Sequence, residues 1–353
     1  MSFQLTIEPL GQTIEVEEGQ RMLDACLRAG VWLPYACNHG LCGTCKVQVV
    51  EGDIEHTEDA SSFALMDLER DEGKVLACSC LLQSDCVIEA DIEPEPDARN
   101  HPIRDFTATV TRVEALTPTI RGIRLRLDPP LEFQAGQYVN IEVPGVEGPR
   151  AFSIASAPDD GEIELNVRKV EGGAATPWLC DELQPGMSLR GTGPLGRFFV
   201  RTSAPEPLLF LAGGSGLSSP LSMVLDLFAQ GETRQVTLIH GARTPDELYA
   251  GAALQALAAR HANFTYVPVV SEPAPGDGWS GETGFVHDAA IRRFEGRFEG
   301  LKAYLCGPPV MIEACIRALM QGRLFERDIY LEKFLTAADA TQAAARSPLF
   351  KRL

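Results

Sequence analysis

Nine residues, "CNHGLCGTC" at positions 37–45, hold three cysteines, a histidine and two glycines. The spacing of Cys37, Cys42 and Cys45, C-x4-C-x2-C, suits an iron–sulfur loop whose fourth ligand is a distant cysteine. Four thiolates must converge on two irons and their bridging sulfides. A tight loop brings three of them, and Gly40 and Gly43 let its backbone amides approach the sulfurs. Two other metal chemistries fit worse. Cys37-x-His39 is half of a Rieske pattern, but no C-x2-H follows it. A structural zinc site repeats a close cysteine pair, and Cys78-x-Cys80 is a poor second pair. The fourth thiolate could come from Cys78, Cys80 or Cys86. Cys86 opens the strand-like "CVIEADIE" and reads as packing, whereas spacing does not choose between Cys78 and Cys80. Cys26, on the apolar face of a short helix, reads as core, and His39 as a solvent-facing loop residue.

Two further regions carry groups that suit phosphates and an aromatic ring system. In "RAFSIAS" (150–156), Arg150 offers a planar cation for a pyrophosphate, Phe152 a ring to lie against another, and Ser153 a hydroxyl or N–H for a heterocycle's nitrogen. In "VEGGAATPWL" (170–179), two glycines precede a short helix whose first amides suit phosphate. "FLAGGSGLSSPLSM" (210–223) reads as strand, glycine loop and helix. Gly214 and Gly216 form G-x-G, but Ser219 stands at the third fingerprint position. The amides of residues 214–217 are expected to hold a pyrophosphate. "YLCGPPVM" (304–311) closes another strand, at the carboxyl edge where open α/β sheets bind ligands. Cys306 has no paired base, so a shaping role is expected rather than a nucleophilic one. After the second strand, "IHGARTPDEL" (239–248) offers Arg243 to a 2′-phosphate, while Asp246 and Glu247 would oppose one.

The elements that must position these groups follow from patterning. The chain has 353 residues, enough for two or three domains. Residues 3–8 and 12–17 alternate as a hairpin, and "RMLDACLRAG" reads as a helix stopped by Gly30. "KVQVVEG" and "CVIEADIE" read as strands. "EPEPDARNHP" (93–102) is a linker by composition. Short strands punctuated by Pro and Gly run from 104 to 203, implying an antiparallel barrel or sandwich with one helical patch, "TPWLCDEL". From about 207, strand alternates with helix, which implies a parallel doubly wound sheet. The tail 336–353 is Ala-rich and aperiodic.

Charge is uneven. The total is −18, and the first hundred residues, with twenty acids and six bases, carry −14 of it. No basic stripe exists to neutralise phosphates, which argues against nucleic acid; an acidic module could instead steer a basic partner. "MSFQLTIEPL" lacks a secretory pattern, and no run approaches the roughly 18 apolar residues of a membrane span. A cytoplasmic protein without a membrane segment is expected. Ten cysteines in a reducing compartment are ligands, core residues or thiols rather than disulfides.

The loop, with "VLAC" ending at Cys78, resembles the plant-type [2Fe–2S] ferredoxin module, a β-grasp α+β fold. That resemblance implies Cys78 as fourth ligand beside Cys37, Cys42 and Cys45. The order R-x-[YF]-S followed by G-G-x-x-[ST] resembles the flavin domain of the ferredoxin–NADP⁺ reductase superfamily, an antiparallel β-barrel. It implies Arg150, Phe152, Ser153, Gly173 and Thr176 as flavin contacts. A ferredoxin module at the N-terminus implies FAD rather than FMN. The α/β parallel-sheet nucleotide domain of the superfamily implies Gly214, Gly216, Gly307 and Pro308 as nucleotide contacts, with a proline usual where Ser219 stands. It also brings Glu332 and Phe334 of "YLEKF" to the flavin, leaving Ser153, Cys306 and Glu332 nearest the chemistry.

The implied domains are 1–92 (ferredoxin), 93–103 (linker), 104–203 (FAD barrel), 204–335 (NAD(P) domain) and 336–353 (tail). Nearly the whole chain resembles the reductase components of bacterial multicomponent oxygenases, above all the branch serving phenol hydroxylases, through "GVWLPYAC", "SSFALMD", "VEGGAAT", "GGSGLSSP", "YLCGPPVM" and "LMQGRLFERDIY". The implied path runs from NADH (NADPH possible) through FAD and a [2Fe–2S] cluster to the di-iron hydroxylase of an aromatic monooxygenase, served by a monomer. The chain has no Glu-x-x-His helix pair of its own. The other readings are a reductase feeding a Rieske dioxygenase and a regulatory flavoprotein whose loop binds zinc.

Overall fold

A computed structural model describes residues 1–35, 40, 42–57, 61, 64–93 and 95–334. The chain forms two compact units, Met1–Arg104 and Asp105–Leu353.

In the first unit, β1 (Ser2–Glu8) and β2 (Gln12–Glu17) form the expected hairpin, with Leu5 opposite Ile14. The helix α1 (Met22–Arg28) follows, burying Met22, Leu23, Ala25, Cys26 and Leu27. Gly30 stops it at φ +77°, and the amide of Val31 bonds back to the Cys26 carbonyl at 2.8 Å. Then come β3 (Lys46–Glu51), β4 (Ile54–His56), α2 (Asp67–Asp71), β5 (Lys74–Leu76), β6 (Cys80–Leu82) and β7 (Cys86–Glu89). Five strands form a mixed sheet in the order β2-β1-β7-β3-β5, and β4 pairs with β6. A five-stranded mixed sheet with a helix after its first hairpin is the β-grasp arrangement. The Pro-rich stretch expected as a linker packs on this unit. Ile103 is buried and its amide donates to the Leu27 carbonyl at 3.1 Å, and a Cβ on Gly30 would press on Asn100 and Pro102.

The second unit begins with β8 (Arg104–Ala115), β9 (Ile120–Asp128), β10 (Tyr138–Glu142), β11 (Arg150–Ser153), β12 (Ile163–Arg168), α3 (Thr176–Asp181) and β13 (Ser188–Leu195). Six strands line up antiparallel as β11-β10-β13-β8-β9-β12. A bridge between Ile154 and Leu165 joins the two edges, so the sheet curls into a nearly closed barrel. Inward residues such as Val110, Ile123, Leu125, Val139, Ile141 and Leu165 fill it.

The rest of the unit is β14 (Leu208–Gly213), α4 (Ser218–Ala229), β15 (Val236–Ala242), α5 (Gly251–Arg260), β16 (Phe264–Val270), β17 (Glu282–Thr283), α6 (Val286–Phe294), β18 (Lys302–Gly307), α7 (Pro309–Gln321) and β19 (Ile329–Lys333). The parallel sheet runs β17-β16-β15-β14-β18-β19. Residues 208–212 of β14 are all buried, because a central parallel strand is covered on both faces. Leu208, Phe210 and Ala212 pack with α4 and α5, and Leu209 and Leu211 with α6 and α7. The chain leaves β14 toward β15 and later returns on its other side as β18. The strand order therefore reverses between β14 and β18, and the carboxyl ends of those two strands open the crevice where such sheets take ligands.

Candidate functional site

The cysteine loop enters β3 through Cys45, which is buried at 3% exposure, and faces Cys78, fully buried in a short 3-10 turn after β5. The Ala77 amide bonds the Cys45 carbonyl at 2.9 Å, fixing the two segments side by side. The Cys78 thiol is drawn down to about 6, chiefly by a hydrogen bond from the Cys45 thiol; burial opposes this, while the Ser79 hydroxyl, the Gly40 amide and Arg21 assist. Cys45, which keeps the shared proton, is pushed up for the same reason. Cys42 is half-buried and its charge acts on Cys45. The Thr44 amide reaches the Cys42 sulfur at 3.5 Å.

Both expected loop glycines adopt left-handed backbone, Gly40 at φ +79° and Gly43 at φ +73°. A Cβ on Gly43 would meet the Ala64 carbonyl at 3.0 Å. Cys80 points elsewhere: its sulfur lies 4.0 Å from Met22 Sδ, and burial pushes its thiol up to about 12. Cys26 is core, also pushed up to about 12 by burial. Cys86 bonds the carbonyls of Asp53 and Ser84. Cys37 and His39 lie outside the described residues, and among the described residues no three His, Cys, Asp or Glu side chains are grouped to hold a metal. The donor set, soft thiols with one acidified by its neighbours and amides on flexible glycines, fits an iron–sulfur cluster.

At the crevice, register does the positioning. Ala212 of β14 pairs with Cys306 of β18, and Cys306 pairs with Glu332 of β19. These residues form one row at the carboxyl edge of the sheet. The glycine loop is a 3-10 turn, Gly214–Leu217, leading into α4. Gly214 has φ +55°. A Cβ on Gly216 would stand 2.5 Å from the Cys306 carbonyl and 2.7 Å from Gly307 Cα, so only glycine lets the two loops touch. Gly307 is buried and Pro308 exposed at the rim. The Ser218 hydroxyl closes the turn on the Ser215 carbonyl at 2.8 Å, and buried His240 reaches the Gly214 carbonyl at 3.4 Å. Burial lowers the His240 pKa to about 4, so the ring is neutral near pH 7. The turn's amides and the contact of the two glycine segments fit a dinucleotide pyrophosphate.

Glu332 connects this edge to the barrel. Its Oε2 accepts hydrogen bonds from Ser153 at 2.9 Å and Ser219 at 2.7 Å, and the Cys306 thiol approaches at 3.8 Å. Burial pushes the Glu332 carboxyl up, and the three donors partly offset it. Burial raises the Cys306 thiol well above its usual range, next to the Glu332 charge, so it stays protonated. The Phe334 amide donates to the Gly307 carbonyl at 3.0 Å and its ring packs on the core beneath the crevice.

On the barrel side, Ser153 and Phe152 end β11 opposite Tyr138 and Val139 of β10. Phe152 is half-buried against the barrel core. Arg150 braces its own turn, Nη1 donating to the carbonyls of Glu147, Gly148 and Pro149 at 3.0–3.1 Å. The Thr176 hydroxyl accepts from the Val170 amide at 2.9 Å, and a Cβ on Gly173 would crowd the Val170 carbonyl at 3.0 Å. Hydroxyl and glycine thus shape one turn before α3. Of the two acids expected near a 2′-phosphate, Glu247 is engaged by Thr117 and Thr119 of the barrel at 2.9 and 2.7 Å. Asp246 accepts from Thr244.

Two residues escaped the sequence reading. Asn166 of β12 and Tyr249 bury their side-chain polar atoms near Ser218, at the start of α4 beside the glycine loop. Ser219, noticed only because it departs from a fingerprint, bonds Glu332. No sequence signal pointed to Asn166 or Tyr249, because neither belongs to a motif.

A β-grasp module with an acidified thiol pair, and a second unit whose β-barrel and parallel sheet share the half-buried Glu332 carboxylate, define an iron–sulfur flavin oxidoreductase that uses a nicotinamide nucleotide. Family models agree: a 2Fe-2S iron-sulfur cluster binding domain matches residues 5–83, an oxidoreductase FAD-binding domain 107–200 and an oxidoreductase NAD-binding domain 210–317. The chain is 56% identical over 354 residues, the whole of both chains, to the phenol 2-monooxygenase reductase component of Pseudomonas sp. (strain CF600) and to the phenol hydroxylase P5 protein of Acinetobacter pittii (strain PHEA-2). Among solved structures it resembles the Amycolatopsis cytochrome P450 reductase GcoB, at 36% identity and TM-score 0.82, over 95% of this chain and 99% of that one. The chain belongs to the family of ferredoxin-fused, FAD- and NAD-binding reductase components of oxygenase systems. Its cofactors are a [2Fe–2S] cluster, FAD and a nicotinamide nucleotide, and its electron acceptor is an oxygenase component. Among the described residues no helix is long and apolar enough to cross a membrane.

Proposed function

We propose that this chain is the reductase of a phenol monooxygenase, taking electrons from NADH and delivering them to a di-iron hydroxylase. What carries the reading is 56% identity, over the whole of both chains, to a phenol 2-monooxygenase reductase component and to a phenol hydroxylase P5 protein. When bound, the three groups supply hydride donation, conversion of a pair to single electrons, and single-electron exit.

The chain's own residues divide the work. Cys37, Cys42, Cys45 and Cys78 ligate the cluster. Arg150, Phe152, Ser153, Gly173 and Thr176 seat the flavin, with Phe334 at the carboxyl-terminal side. Gly214, Gly216, Gly307 and Pro308 seat the nucleotide, through backbone held open by glycine. Ser153 donates a hydrogen bond to the Glu332 carboxyl, and Cys306, kept neutral by burial, fills the space beside it. Asp246 opposes a 2′-phosphate near Arg243, favouring NADH over NADPH. The domains run 1–92, 104–203 and 204–335, with 93–103 between the first two and 336–353 as a tail outside the described residues. The protein acts as a cytoplasmic monomer.

The test is reconstitution. Purified reductase, NADH and the oxygenase component of a phenol hydroxylase should turn over phenol, with kcat/KM for NADH above that for NADPH. Support of a Rieske dioxygenase but not of the phenol hydroxylase would overturn the assignment.

A further inference from the structure

Glu332 Oε2 carries hydrogen bonds from two different parts of the second unit. Ser153 comes from the barrel, and Ser219 is the second residue of α4, the helix that begins at the glycine loop. Ser219 is fully buried, so no water competes for its hydroxyl. Its bond to the carboxylate, 2.7 Å, is the shortest of the three contacts on that oxygen. Among the described residues none of the groups acting on Glu332 is a cation, and Cys306 on the neighbouring strand is a titratable group facing it. A half-buried carboxylate without a cation leans on its few donors for both position and charge. Removing one of two hydroxyl donors therefore changes more here than at a hydrated carboxylate.

The geometry points to Ser219 as a positioning residue for the reductase reaction: its hydroxyl ties the Glu332 carboxylate to the helix of the glycine loop, so that the nucleotide-binding segment holds the group facing the flavin-side serine. This rests on the proposed roles of Ser153 and Glu332 in the reductase, and it adds a residue that those roles do not require. Ser219 acts through Glu332 and touches neither nucleotide nor flavin in this account. The link is also a one-way constraint. α4 cannot shift by more than a hydrogen bond's tolerance without releasing Glu332, while Glu332 remains held to β18 through strand pairing.

The sign of the effect follows from the donor. A hydroxyl stabilises the ionised carboxylate, so its loss raises the proton affinity of Glu332. In Ser219→Ala the midpoint of Glu332 protonation should rise by about one pH unit, roughly tenfold in affinity, and Ser219→Thr, which keeps the hydroxyl, should return toward the parent. The midpoint is read by infrared titration of the carboxyl C=O band, assigned with Glu332→Gln, on full-length protein with and without flavin. In parallel, the pH profile of flavin reduction by NADH should move in the same direction, with KM for NADH little changed. Ser219→Cys, which keeps a weak S–H donor in place of the hydroxyl, serves if the alanine variant folds poorly, and should show a smaller rise. An unchanged midpoint in Ser219→Ala or Ser219→Cys, or equal shifts in Ser219→Ala and Ser219→Thr, overturns the proposal. Failure of the parent itself to reduce its flavin with NADH would instead defeat the reductase roles, while the infrared midpoint would still decide the part played by Ser219.

Discussion

Around Glu332 the protein's own groups already satisfy one another: two serine hydroxyls and a thiol converge on one oxygen, and Gly216 lets two strand-end loops touch. Around Cys45 and Cys78 the contacts are between thiols and with one hydroxyl and one amide. The two thiols share a proton, Cys42 stands nearby half-exposed, and among the described residues no set of donors is grouped for a metal. The crevice sits on a sheet whose central strand is buried on both faces, so register alone brings Ala212, Cys306 and Glu332 into a row. The described cysteines instead come from a segment entering β3 and from the turn after β5, held side by side by one backbone bond, Ala77 N–H to the Cys45 carbonyl. One site is positioned by strand register, the other by the meeting of two short segments.

That contrast can be tested by damage to each site in turn. The largest effect should come from the cysteines. Cys78→Ser should abolish cluster assembly, read as loss of the visible cluster spectrum and of labile sulfide, while Cys80→Ser should assemble it normally because that sulfur packs against Met22. The reverse outcome would move the fourth ligand to Cys80. Flavin reduction by NADH should survive in Cys78→Ser, since Ser153, Ser219, Cys306 and Glu332 all belong to the second unit.

A smaller loss is expected at the crevice. In Gly216→Ala the new methyl must displace the Cys306–Gly307 backbone, and a shift of that kind costs roughly a hundredfold in catalysis. Stopped-flow flavin reduction should show it, with cluster content unchanged. A variant that reduces its flavin at the parent rate would mean that the two loops need not touch. The smallest effect concerns the acidic first unit. If its charge steers a basic partner, electron delivery to the oxygenase component should fall roughly severalfold as salt rises from low to physiological strength, while NADH oxidation with a neutral dye does not. A flat response in both assays would assign the charge to solubility.

Much of this was legible before any coordinates. Period-2 alternation in "FQLTIE" and "QTIEVE" gave the hairpin, and the continuous apolar run "LLFLA" gave the buried strand β14. Gly30 marked the end of α1 because only a left-handed residue lets the chain turn there. The helix α6 was missed: its buried face is only Val286 and two alanines, set in a short, predominantly polar segment. The stretch 93–103 reads as a free linker because composition reports polarity and Pro content, whereas its attachment depends on one buried side chain, Ile103, and one backbone bond.

The division has a physical cause. Local spacing determines what a short loop can ligate and which face of a strand is apolar, so the iron–sulfur, flavin and nucleotide segments could be read from neighbouring residues. Contacts across 66, 113 and 179 positions, as between Ser222 and Ser156, Ser219 and Glu332, or Ser153 and Glu332, leave no periodic trace. Only the nearly closed barrel and the strand order of the parallel sheet bring Ser153 and Ser219 to one carboxylate and Ser222 to the Ser156 carbonyl. The same holds for Cys78 and Cys80, which spacing leaves equal: the turn after β5 aims one sulfur at Cys45 and the other at Met22.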